Sequence, residues 1–256
     1  MLTLVHAELK RAWAIFLAYP VDEVLGALIV AALFLIYFFG AKWQAGPGAN
    51  FGTRGDATVI CYIVWMLSMA QMSDTSSSWR NESTTGTLEQ LMASPYGAVR
   101  IFLMRSVADT TVILAWMGIM SALIVVITRP VLHLSLAILL PILTVLAAAT
   151  GLGLMLSSLV LLFKQMSSVG QIVNFLLLGL LILPLESWSG VRFGLGSLLP
   201  ITPGAALLRV ILIHHSFDYH LLSISLANGF VYFSIGAFLF TKALNRAKRR
   251  GLVGKY

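Results

Sequence analysis

The chain has 256 residues, 59% of them hydrophobic and only 11% charged, with a mean hydropathy of +0.91. Soluble domains are about one quarter charged, so this composition excludes an ordinary soluble globular protein and points to lipid. The net charge of +7 does not indicate nucleic-acid binding, because the basic residues form no patch; six of the seventeen fall from Lys242 to Lys255, just after an apolar run, as in a cytoplasmic membrane flank.

In the first nineteen residues, Leu2, Val5, Leu9, Trp13 and Phe16 recur at helical spacing, while Thr3, His6, Lys10 and Ala14 lie away from them. This predicts an amphipathic helix over 1–19 lying in the inner membrane interface. The rival reading is the cytoplasmic start of a long first span. Tyr19-Pro20 opposes it, since a residue before proline avoids helical geometry. Glu8, Lys10 and Arg11 interrupt the stretch too early for a cleavable signal peptide.

A crossing helix needs about 20 mostly apolar residues. Six candidates follow, at about 21–39, 57–72, 109–127, 135–163, 167–185 and 221–241. Asp22 and Glu23 open the first at the inner face, where an interface position tolerates them. The fourth is long and holds Pro141, Gly151 and Gly153, which predicts tilt or a kink. Cys61, the single cysteine, lies within the second and cannot form an intrachain disulfide. With both termini inside, twelve Lys and Arg residues fall on the inner side and five on the outer. That asymmetry favours cytoplasmic termini.

Between the second and third candidates lies a polar island from Trp79 to Pro95, within a cytoplasmic segment over 73–98. Thr87 with Gln90 fits a capping box. Leu88, Leu91 and Met92 share one face, and Glu89 lies near the positive end of the helix. Pro95 discourages continuation past Ser94. Two turns with so small a ridge do not stand alone in water, so the element needs a partner surface.

Residues 184–220 form the longest stretch between candidate spans and face outward, yet they are rich in Leu, Ile and Val. Thr202-Pro203 predicts a helix start, with threonine as cap and proline at the first position. The segment reads as re-entrant or surface-lying. Glu186 and Arg192 are expected to pair there, as are Arg105 and Asp109 at the inner end of the third span. His214, His215, Asp218 and His220 cluster, but without the spacing of a metal site. Trp65 and Trp116 are expected at mid-span as packing residues, with stacking on a substrate the less favoured role. Residues 242–256 form a basic cytoplasmic tail.

The pattern Glu82-x-x-x-Gly86-Thr87-Leu88-Glu89-Gln90-Leu91-x-x-Ser94-Pro95 resembles the signature of the ABC-2 type exporter permeases. Leu199-Pro200-Ile201-Thr202-Pro203-Gly204, followed by Arg209, is similar to the proline-containing turn and arginine of that family's outer segment. The family commonly has Asn-Pro where Thr202-Pro203 stands. The resemblance implies a single all-α transmembrane domain over 1–256, with six spans, an N-terminal interfacial helix, a cytoplasmic coupling helix and an outer re-entrant segment. It implies that Glu82, Gly86, Thr87, Leu88, Glu89, Gln90 and Leu91 engage the ATPase and that Pro200, Pro203 and Arg209 belong to an outer gate.

The implied assembly is two permease chains, alike or different, with two copies of a separate ATPase subunit that binds ATP and Mg. No P-loop pattern occurs here, so the chain is expected to be a transport subunit and not itself an enzyme. Neither nucleic acid nor metal is expected as a ligand. The implied role is export or flipping of an amphipathic drug, lipid or lipid-linked glycan across the cytoplasmic membrane. An ion-coupled secondary transporter is the alternative, and it calls for ionisable residues near mid-membrane and repeated halves. An intramembrane enzyme ranks third, because Ser187, Ser189 and Ser197 lack a glycine-flanked nucleophile pattern.

Overall fold

The computed structural model describes residues 2–44, 52–85, 94, 97–129, 135–163, 167–214 and 216–249. Among them all regular structure is helical. Helix α1 (Leu2–Ala18) is followed by α2 (Pro20–Gln44), α3 (Gly52–Thr85), α4 (Ala98–Thr128), α5 (Leu139–Phe163) and α6 (Ser167–Leu181). A bent pair then follows, α7 (Gly190–Leu198) and α8 (Thr202–His214), and the last helix is α9 (Tyr219–Arg249).

Four stretches are long and apolar enough to cross a membrane among the described residues: Val99–Thr128, Leu136–Leu161, Ser168–Ser187 and Tyr219–Ala247. The α7–α8 pair, bent by 112°, makes a fifth candidate if counted as one span. Helices α2 and α3 hold the first and second expected spans. The apolar run in α2, Val24–Ile36, is shorter, and the second half of α3 is polar.

Helix α5 is the central pillar: 56% of its apolar window is buried, against 11–28% for the other three. It packs between α3 and α9. Small residues permit the approach. A Cβ on Gly151 would strike the backbone of Tyr232, and one on Gly236 would strike the backbone of Gly151. On the α3 side, a Cβ on Gly153 would come within 2.7 Å of the Thr75 side chain. Gly151 and Gly153 therefore bear close helix packing within the chain.

Two expected boundaries shift. The second span continues without interruption as α3 through residues 73–85, which were expected in a loop. Part of the expected basic tail extends α9 to Arg249. Pro141 was expected to disturb the fourth span, but it sits in the first turn of α5, where its missing N–H costs no hydrogen bond.

The main core joins Ile60, Val64 and Met72 of α3 to Ala148 and Ala149 of α5, Leu177 and Leu181 of α6, and Ala205 and Leu208 of α8. Polar side chains thread the same interior. The amide nitrogen of the fully buried Gln71 donates to Thr150 Oγ1 at 3.0 Å, and its oxygen accepts from Thr110 at 3.0 Å. This network ties α3, α4 and α5 without any charge.

Candidate functional site

The segment most informative in the sequence is only partly described. Glu82 lies in the last turn of α3. Gly86, Thr87, Leu88, Glu89, Gln90 and Leu91 lie outside the described residues. At 1.5 Å per residue, Glu82 sits about 12 Å beyond Asp74 along one continuous helix, and about 32 Å beyond Cys61. One continuous helix therefore runs from Glu82 to the far end of the bundle.

That far end is built around Arg209, which is 2% exposed. Its Nε donates to Glu186 Oε1 at 2.9 Å, and Nη2 donates to Glu186 Oε2 and to the Leu183 carbonyl, both at 2.8 Å. Nη1 donates to the Leu181 carbonyl at 2.7 Å and to Cys61 Sγ at 2.9 Å. The guanidinium has five N–H donors, and these five contacts use them all. One residue of α8 thus fastens the end of α6, the turn after it, and α3.

Glu186 pairs with Arg209 and not with Arg192, as the sequence spacing had suggested. Both of its oxygens are taken by a planar fork that matches a carboxylate.

The bend between α7 and α8 has its own clamp. Ile201 takes a positive φ of 68°, which is unfavourable for a β-branched residue. Its N–H donates to Asn228 Oδ1 at 3.3 Å, while Asn228 Nδ2 donates to the carbonyls of Ser197 at 2.9 Å and Leu199 at 3.0 Å. One turn further along α9, the Tyr232 hydroxyl donates to the Leu198 carbonyl at 2.8 Å. Pro200 lies in the bend and Pro203 in the first turn of α8.

Thr202 is not the cap expected from Thr-Pro. Its hydroxyl donates to the Pro200 carbonyl at 3.2 Å, and the helix begins at Thr202 itself. A side-chain amide from another helix has taken over the role of satisfying this turn. We expect Asn228→Ala to cost about 3 kcal/mol, because one N–H and two carbonyls lose partners, and Tyr232→Phe about 1 kcal/mol. Thermal unfolding in detergent would check this; equal effects would refute the clamp.

The opposite end holds a second charged group. Glu8 Oε2 accepts from Arg11 at 2.8 Å and from Arg105 at 3.2 Å, and Arg11 donates to both oxygens of Asp109, at 3.0 and 3.3 Å. Arg105 and Asp109, expected to pair with each other, belong to a four-residue cluster in which Arg105 bonds Glu8 and Asp109 bonds Arg11, fixing α1 to α4. The side of α1 turned to the protein carries Glu8 and Ala12, while Trp13, Ile15 and Leu17 are exposed.

The aromatic and histidine candidates resolve locally. Trp65 donates from Nε1 to the Asn174 carbonyl at 2.9 Å within the core. Trp116 packs edge-on against Phe16, with centroids 5.6 Å apart. Asp218 caps α9, accepting from the N–H groups of His220 and Leu221 at 2.8 and 3.1 Å. Among the described residues no three His, Cys, Asp or Glu side chains are grouped to hold a metal.

The sequence reading missed Glu8, Asn228 and Tyr232. A single carboxylate on an otherwise apolar-faced helix, and a single carboxamide in an apolar span, were the available signals, since such groups in lipid mark interactions. No protein-family model matches this sequence, and no curated protein matches it significantly.

Proposed function

We propose that this chain is the membrane-spanning subunit of an ATP-driven exporter of the ABC-2 type, working with separate ATPase subunits to move or flip an amphipathic substrate. The observation that carries the reading is the pattern from Glu82 to Pro95, which begins on the last turn of α3. In this reading the chain crosses the cytoplasmic membrane six times with both termini inside. The segment containing Gly86, Thr87, Leu88, Glu89, Gln90 and Leu91 docks on the ATPase, and a second permease chain completes the pathway. ATP and Mg belong to the partner subunit.

The mechanism uses the parts described above. A displacement of the docking segment is transmitted along α3, because a helix moves as a rod over this length. Its far end bonds to Arg209 through Cys61, so α8 and the bend at Pro200 and Pro203 receive the motion. Glu8 and Arg105 couple α1 to the same end of the bundle as the docking segment. The ion-coupled alternative has less support. The interior network of Gln71, Thr110 and Thr150 carries no charge, Asp109 beside it is paired with Arg11, and the Arg209–Glu186 pair lies at the other end of the bundle.

Co-purification with a candidate ATPase in lipid tests the proposal. We expect a stable complex whose ATP hydrolysis falls severalfold in Glu89→Arg while the chain still inserts and folds. A folded chain that joins no ATPase, or an assembled variant with unchanged coupling, would reject it.

A further inference from the structure

A cleft of about 300 Å³ lies between α1, α3 and α4, apart from both clamps of the far end. Contacts among its walls sort it into two ends. Arg11 of α1 meets Asp109 of α4 at one end, and Phe16 meets Trp116 at the other, about 10 Å further along α4. Helix α3 runs antiparallel to α4, since Gln71 bonds Thr110 while Thr75 meets Ser106. Ser77 and Ser78 therefore wall the Asp109 end, and Ala70 lies toward Trp116. Ile15 lines the apolar end and is half-exposed, with the more exposed Leu17 beyond it, so apolar surface leads into the cleft from the side. A wall divided this way fits a molecule with a polar head and an apolar body.

The walls favour an uncharged head. Their charged side chains already have partners within the protein: Arg11 is held by Glu8 and Asp109, and Asp74 is engaged as well. An ionic head would have to displace one of these partners or enter without a counter-charge, and either is costly away from water. A hydroxyl or ester head needs only hydrogen bonds. The Ser77 hydroxyl donates to the Asp74 carbonyl at 3.2 Å, which leaves its oxygen able to accept, and Ser78 stands beside it on the same wall. A volume of about 300 Å³ is at the small end for ligand sites, so the cleft suits one hydrocarbon chain and not two.

We propose that this cleft binds an uncharged single-chain amphiphile, with a hydroxyl or ester head against Ser77 and Ser78 and the chain against Phe16 and Trp116. The binding is a property of this chain alone and does not rest on the transport reading.

The test uses the full chain in phosphatidylcholine nanodiscs, with empty discs as the baseline for partitioning. Monodecanoylglycerol, decyltrimethylammonium and decyl sulfate carry similar chains on an uncharged, a cationic and an anionic head. We expect saturable binding of the monoglyceride at one site per chain, about tenfold tighter than either ion. Ala70→Leu, which fills the apolar end, should weaken it about tenfold. Ser77→Ala combined with Ser78→Ala should weaken it about fivefold. Uptake no greater than in empty discs, equal or tighter binding of either ion, or undiminished binding in a folded Ala70→Leu variant would overturn the proposal. If Ala70→Leu does not fold, the three amphiphiles compared on the native chain decide. No ATPase is present in this assay, so its failure is separable from failure of the coupling experiment.

Discussion

Replacing Arg209 by leucine should destabilise the protein by about 3 kcal/mol, at the lower end of the 3–5 kcal/mol typical of breaking a buried pair. Arg209 has only 3% of its side chain exposed, whereas Glu186 keeps 18%, so water offsets part of the loss at the carboxylate. The carbonyls of Leu181 and Leu183 also lose their charged donor. Since total stability is only about 5–15 kcal/mol, such a loss removes a large share of it.

Arg209→Lys should rescue little, because an ammonium has three donors on one centre and cannot span the five contacts. Arg209→Met combined with Glu186→Gln should recover more than either single change, as it leaves no charge buried without its counter-ion. Thermal unfolding and size-exclusion profiles in detergent would check the series. A stable, monodisperse Arg209→Leu variant would show that the fork does not hold this end together.

The second large effect is expected at Gly236. An alanine there would put its Cβ into the backbone of Gly151. Overpacking usually costs about 1–3 kcal/mol when side chains can shift. Here the obstacle is main chain on the central helix, so α5 and α9 must separate, and the cost should reach or exceed the upper end of that range. Separation would also disturb the Thr144–Ser225 hydroxyl contact on the same interface.

Gly118 in α4 supplies the control. A Cβ there meets nothing within 4 Å, so Gly118→Ala should be neutral or stabilising by less than about 1 kcal/mol. Expression level and melting temperature of the two alanine variants would decide the matter. Equal tolerance would mean that the α5–α9 approach is looser than the contact geometry requires.

Much of the fold was legible because lipid imposes a coarse rule. Apolar runs near 20 residues must be helices, since the hydrocarbon region offers no partner for an open backbone. Leu136–Leu161 and Tyr219–Ala247 fall where composition placed the fourth and sixth candidates. In the outer segment a re-entrant or surface-lying helix starting at Thr202-Pro203 was legible, whereas the preceding helix α7 and the 112° bend between the two were not. Helix ends were less legible. Residues 73–85 are polar enough to read as loop, yet they extend α3, with the Ser76 and Ser77 hydroxyls satisfied on the Ser73 and Asp74 carbonyls of the same helix.

Partnerships across the fold were the least legible. Sequence spacing suggested Arg105 with Asp109 and Glu186 with Arg192, because near neighbours are all that spacing can rank. The structure draws in Glu8, 97 residues from Arg105, and Arg209, 23 residues from Glu186.

By itself, then, the sequence determined a helical chain with apolar candidate spans, a polar segment after the second of them, and an apolar re-entrant or surface-lying segment before the last. These follow from composition and periodicity, which act locally. Only the tertiary structure decided which charges neutralise one another, which glycines bear close helix contact, and which side chains hold the bend at Ile201. Those depend on groups distant in the chain meeting in an interior where an unpaired charge or N–H is costly.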